Sequence, residues 1–165
     1  VDIMDELKLL HWLENDPRIS IRDLADILNE SEDRIYKMRT RLEREKVICG
    51  YHTVINWEKT NEDRVSAIIE VSARPERNSG YEKVANTIAN YPEVSSLYLM
   101  SGKSEFMVFL EGRTMREIAD FVAQRLAPIE GVTSTVTYFI LKTYKVDGIV
   151  IREDEEKDER LIVTP

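Results

Sequence analysis

The apolar residues of this chain change their spacing once, near Val47, and that change divides it. Before Val47 the period is helical; beyond it, alternating runs predict strands interrupted by two amphipathic helices. In MDELKLLHWLEND, Met4, Leu7, Leu10 and Leu13 recur at intervals of three and predict one inward helix face. Asp16-Pro17 ends that helix, because a residue before proline avoids the helical region. Ser20 opens a second helix, with Asp23 in the capping-box position and Leu24, Ala25 and Leu28 inward, running out near Asn29. Ser31 caps a third, with Ile35, Met38 and Leu42 inward as far as about Lys46. Two capped helices joined by a short turn form a helix-turn-helix pattern.

After Val47, VICGYHTVI reads as a strand and the polar run WEKTNEDR (57–64) as a boundary or hinge. Val65–Ala73, Val94–Met100, Phe106–Leu110 and Val132–Lys142 then predict four strands. Two helices lie among them: Tyr81–Asn90, with Val84, Ala85 and Ile88 inward, and Met115–Leu126, with Ile118, Ala119, Val122 and Leu126 inward. The order β-α-β-β-α-β predicts a ferredoxin-like sandwich, so the fold class is α+β: an N-terminal helix-turn-helix domain plus a C-terminal ferredoxin-like βαββαβ sandwich. The domains expected are 1–47, a linker strand and hinge at 48–63, the sandwich at 64–145 and an acidic extension at 146–165. The extension ends in LIVTP, a short apolar strand candidate with nothing obvious to pair with. Helices on one sheet face leave the other uncovered, which points to a homodimer joined through the sheet.

Composition limits the partners. No run approaches the roughly 18 apolar residues of a spanning helix, so no membrane partner is expected. Cys49 is the only cysteine, which excludes an internal disulfide; with no signal-peptide core in VDIMDELKLL, the expected address is cytoplasmic. A net charge of -8 argues against whole-surface attraction to nucleic acid. A local patch runs the other way: RIYKMRTRLEREK (34–46) holds six basic residues against Glu43 and Glu45, a balance of +4. At about 100° per residue from Ile35, Met38 and Leu42 fall beside it, whereas Asp33, Tyr36, Lys37, Thr40, Arg41 and Arg44 fall opposite. Three cations, a phenol and a hydroxyl on one stripe suit phosphates and base edges. A solvated amphipathic helix is the plainer reading. Arg39, at the edge of the inward face, is expected to pair with Asp23 or Asp26.

The residues also carry a resemblance. The run S-x-x-x-I-x-x-x-R-x-R-L-E-x-x-x-V-I-x-G-Y (Ser31 to Tyr51) resembles the Lrp/AsnC, or feast/famine, transcription regulators. So do D-E-L-K-L-L-x-x-L-E-N-D-P-R-I-S-I-R-D-L-A (Asp5 to Ala25), P-E-V-S-S-L-Y-L-M-S-G-K-S-E-F (Pro92 to Phe106) and G-V-T-S-T-V-T (Gly131 to Thr137), in the right order. The resemblance implies a helix-turn-helix that binds double-stranded DNA, joined by a linker strand to a sensing domain that forms dimers, tetramers or octamers. It also implies an amino acid or related effector bound between subunits. Three departures stand out. Met38 and Arg39 replace a common arginine and apolar residue, leaving open a rotated or repacked recognition helix. Lys46 replaces a common glycine. Glu105 lengthens the aspartate of a G-x-x-D loop.

DNA contact would fall on Ser31, Tyr36, Lys37, Thr40, Arg41 and Arg44. In the loop 101–105, backbone N–H groups near Gly102, the Ser101 hydroxyl and Glu105 could meet the carboxylate and ammonium of a free amino acid. Ser134, Thr135 and Thr137 could add donors from a neighbouring subunit. A hairpin turn with a polar tip is the alternative. No cofactor or metal is expected and the chain is not expected to be an enzyme. Gly102-Lys103-Ser104 lacks the glycine a phosphate loop needs at Leu97, and His11 and His52 lie far apart with neither near Cys49. The rival function is a metabolite-binding oligomer whose helical domain mediates protein contacts.

Overall fold

The structure, a computed structural model, describes residues 3–151. The chain divides into two compact units between Thr53 and Val54. None of the described helices is long and apolar enough to cross a membrane. The run LIVTP and most of the acidic extension lie outside the described residues.

The first unit holds α1 (Ile3–Asn15), α2 (Ile21–Leu28) and α3 (Glu32–Arg44) around Leu9, Leu13, Leu24, Ala25, Ile35, Met38 and Leu42. The inward face of α1 is not the one the three-residue spacing predicts. Met4 and Leu7 are 64% and 52% exposed, while Leu9 and Leu13 are buried. Nine residues at about 100° each carry a helix half a turn too far, so Met4 and Leu13 point opposite ways. Leu9 and Leu13, four apart, share a face. Ser20 starts α2 as expected: its Oγ accepts from Asp23 N at 3.0 Å and donates to the Asp23 carboxylate at 2.7 Å. Asn29 ends it in the left-handed region (φ 55), with Glu30 N reaching Ala25 O at 2.9 Å. That closure makes the turn so short.

The end of α3 repeats the geometry with a less suitable residue. Lys46 sits at φ 59, and Val47 N donates to Leu42 O at 3.0 Å. A side chain in that region is strained, which is why glycine is favoured there. The strand expected in VICGYHTVI is absent: 47–55 has no ladder, and Val47, Tyr51 and Ile55 are exposed. β-Branched residues favour a strand only where a neighbour takes up the backbone bonds, and among the described residues none does.

The second unit contains β1 (Val65–Ala73), α4 (Glu82–Ala89), β2 (Val94–Leu99), β3 (Phe106–Gly112), α5 (Met115–Phe121) and β4 (Val132–Phe139). The sheet order β2-β3-β1-β4 is antiparallel throughout, the ferredoxin-like arrangement. Ala67, Ile69 and Val71 of β1 and Phe106, Val108 and Leu110 of β3 pack with Val84, Ile88, Ile118 and Leu126. A π-helical turn, Val122–Leu126, continues α5; Ala127 N donates to Val122 O at 2.8 Å. Ala119, expected inward, is exposed, and Phe121 takes a core place instead. The polar run expected as a hinge folds into a turn (Trp57–Lys59), with Arg64 4.1 Å above the Trp57 ring and ion-paired to Glu111.

On the sheet face away from the helices, Ile68, Met107 and Phe109 are half-buried and Tyr98, Val136 and Tyr138 are exposed. Beyond β4, Lys145–Val146 and Ile149–Val150 form a small hairpin, β5 and β6, around Asp147 (φ 47) and Gly148 (φ 79). The expected domain end at Lys145 therefore cuts a hairpin in two. The Asp-Gly pair, which favours a two-residue turn with both φ positive, was its signal.

Register slips between Ser72 and Ala73 where β1 meets β4, and the Ala73 N–H donates to Glu105 Oε2 at 2.8 Å. Glu105→Ala leaves that buried donor unpaired and should cost about 1–2 kcal/mol of unfolding free energy, while Glu105→Gln keeps an acceptor and should cost less than half as much. Urea denaturation read with amide exchange at Ala73 checks this; equal losses in both variants would contradict it. Lys46→Gly relieves the left-handed strain and should stabilise the helical unit by about 0.5–1 kcal/mol, again by urea denaturation. No gain would place Lys46 in some compensating contact.

Candidate functional site

The candidate surface in the first unit is built on α3. Ser31 Oγ accepts from Arg34 N at 3.2 Å, anchoring the first turn, and Ile35, Met38 and Leu42 are buried. Met38, where the resemblance implies a common arginine, is buried beside Ile35 and Leu42, so the inward face of α3 is the one the periodicity predicts. Arg39 does not pair with Asp23 or Asp26 as expected; its Nε lies 3.8 Å from Glu43 Oε1, one turn along the same helix. Glu43 also accepts from the Tyr51 hydroxyl at 2.8 Å.

Tyr36 and Thr40 face solvent, and the side chains of Lys37 and Arg44 are 72% and 75% exposed. Lys37 bonds Asp33 at 2.7 Å, and Arg44 lies 3.8 Å from Glu45. Arg41 is placed differently. Its Nη2 meets Glu6 Oε2 of α1 at 2.7 Å, its Nη1 meets Glu45 Oε2 at 3.2 Å, and its side chain is 31% exposed. The Glu6 hydrogen bond, more than the charges of Glu6 and Glu45, raises the Arg41 pKa above its ordinary value against a smaller desolvation effect. Arg34 is likewise paired with acids, Glu30 at 2.6 Å and Asp5 of α1 at 3.7 Å. At about 100° per residue Arg34 and Arg41 share one flank of α3, the flank that crosses α1. Four of the six expected residues, Tyr36, Lys37, Thr40 and Arg44, thus lie on the open stripe, while Ser31 is occupied in capping and Arg41 is held by carboxylates. Asp5 and Glu6 are the residues that sequence reasoning missed. Their partners lie some thirty positions away, and only the helix crossing shows them.

In the second unit the loop 101–105 joins β2 to β3. Ser101 and Gly102 are exposed, Ser104 Oγ lies 3.5 Å from Ser72 Oγ, and Glu105 caps the Ala73 amide. Ser134 stands opposite Ser72 in the ladder, and Thr133 Oγ1 donates to Ser72 O at 3.2 Å. Ser72, Ser104, Glu105 and Ser134 are therefore gathered at one end of the sheet. Thr135 and Thr137 pair with Val71 and Ile69, so they point to the helix-covered face and away from Ser134. Ser72 and Thr133 were missed because strand register, not local pattern, brings them to the loop.

Comparison with known proteins fits both units. A family profile described as the Lrp/AsnC ligand binding domain matches residues 66–150, through the β5–β6 hairpin. The chain is 36% identical over 161 residues to the HTH-type transcriptional regulator YugG of Bacillus subtilis, covering 97% of this chain and 96% of that protein. It is 31% identical over 145 residues to the HTH-type transcriptional regulator LrpA of Pyrococcus abyssi, covering 88% and 99%. Among solved structures, the leucine response regulatory protein LrpA of Mycobacterium tuberculosis superposes with a TM-score of 0.72 at 24% identity, covering 89% and 97%. The L-Met complex of a transcriptional regulator from Neisseria meningitidis superposes with a TM-score of 0.67 at 23% identity, covering 86% and 91%. With a capped helix-turn-helix in its first unit and a matched ligand-binding sandwich in its second, the chain belongs to the Lrp/AsnC family of transcriptional regulators.

Proposed function

We propose that this regulator reads double-stranded DNA with the open stripe of α3, acts as an assembly joined through the uncovered sheet face, and answers to an amino acid or a close relative. The observation that carries the DNA reading is the placement of Tyr36, Lys37, Thr40 and Arg44 on one exposed face of a helix whose opposite face is locked by Ile35, Met38 and Leu42. Lys37 and Arg44 would hold phosphates while Tyr36 and Thr40 approach base edges. Paired helices in a dimer would read half-sites about one DNA turn apart or a multiple of it.

Tyr98, Val136 and Tyr138, exposed beside Ile68, Met107 and Phe109, supply the apolar surface for a second subunit, with tetramers or octamers built from the dimer. The sensing reading rests on Ser72, Ser104, Glu105 and Ser134 at one sheet end and on the L-Met bound by the Neisseria relative. An effector there would act by preferring one assembly over another. The work is that of a cytoplasmic regulator rather than an enzyme.

The test is the salt dependence of binding to duplex DNA from upstream of the protein's own gene. Log affinity should fall against log salt with a slope of about 0.9 per phosphate neutralised. Lys37→Ala and Arg44→Ala should each flatten that slope by about one phosphate's share. Slopes unchanged in both variants would remove α3 from the interface.

A further inference from the structure

We propose that Glu6 of α1, seconded by Glu45, is an internal competitor for DNA phosphate at Arg41, and so sets how many cations α3 presents to the duplex. The proposal rests on the reading of α3 as the DNA-facing helix. Arg41 lies one turn from Lys37 and just under one turn from Arg44, and at about 100° per residue it stands only about 40–60° round the helix from them. A rotamer change would bring its guanidinium into line with theirs. What holds it elsewhere is a matched pair of acceptors: Glu6 Oε2 on Nη2 at 2.7 Å and Glu45 Oε2 on Nη1 at 3.2 Å. Each is an anionic oxygen on a guanidinium nitrogen, the contact a phosphate would make.

The clamp is open to exchange. The Arg41 and Glu6 side chains are 31% and 24% accessible, so water and ions reach the pair, and ion pairs at such sites are held weakly. Arg34, on the same flank, is tied to Glu30 and Asp5, so α3 stays joined to α1 if Arg41 leaves. The outward cations differ: among the described residues, Lys37 and Arg44 pair with acids of α3 or its C-terminal cap, Asp33 and Glu45. Glu6 is therefore a positioning residue on a helix that need not touch DNA.

The full chain, titrated with a mixed-sequence duplex across a salt series, isolates the phosphate contribution. Glu6→Gln keeps the shape of the side chain and removes its charge. It should bind tighter than the parent and steepen the log–log slope by about 0.9, the share of one added phosphate. Glu45→Gln, which frees Nη1 without touching the helix crossing but also relaxes Arg44, should steepen it less. Because any lost acid raises affinity through net charge, Glu6→Gln is also made in an Arg41→Ala background, where its gain in slope should vanish. A gain that persists without Arg41, or a Glu6→Gln protein of unchanged melting temperature and unchanged or shallower slope, would overturn the proposal. Lys37→Ala separates the two failures: if it flattens the slope while Glu6→Gln does nothing, the competition is wrong and the DNA-facing helix stands. If neither variant moves the slope, both fall.

Discussion

Burial of Ile35, Met38 and Leu42 against α1 and α2 is the constraint on which the rest of the helical unit depends. Once those three are inside, the rotation of α3 about its axis is set, and every other side chain on it has a fixed bearing. Tyr36, Lys37, Thr40 and Arg44 go outward, while Arg34 and Arg41 go to the flank that meets Asp5 and Glu6. The apolar face thus decides the charge pattern that a nucleic acid would meet. It also explains how a chain of net charge -8 can carry a local cationic stripe: acids accumulate elsewhere, and some of them hold basic residues in place.

The second unit applies the same logic to a sheet. Alternate residues of β1 and β3 are buried under α4 and α5, so their neighbours must emerge on the other side, and several of these are apolar. A register slip at Ser72 and Ala73 turns the end of the sheet into a cluster of hydroxyls closed by the Glu105 carboxylate. Glu105 reaches the Ala73 amide from the loop between β2 and β3, so one of its oxygens is committed to backbone.

Much of this was legible in the sequence because it is local. Ser20 and Ser31 marked their helices by capping, and the inward residues of α3 followed from spacing alone. The ferredoxin-like order followed from the sequence of periods. What failed was either phase or partnership. Intervals of three in α1 drift round the helix, so Met4 and Leu7 were assigned to a core that Leu9 and Leu13 occupy. VICGYHTVI has strand composition and, among the described residues, no strand to join. Arg41 belonged by bearing to the outward set and by contact to Glu6, thirty-five residues away. Thr135 and Thr137 were grouped with Ser134 although alternation along β4 sends them to the opposite face. The Asp147-Gly148 turn is legible as a local pair that favours positive φ at both positions.

Hydroxyl-radical footprinting of the full chain with and without duplex DNA bears most directly on the central claim. Tyr36 and Met4 are both exposed and both oxidise readily, but they lie on α3 and α1 respectively. If α3 presents its outward stripe to the duplex, oxidation of Tyr36 falls on binding and that of Met4 does not. Binding that leaves Tyr36 oxidising as fast as in the free protein would contradict the account.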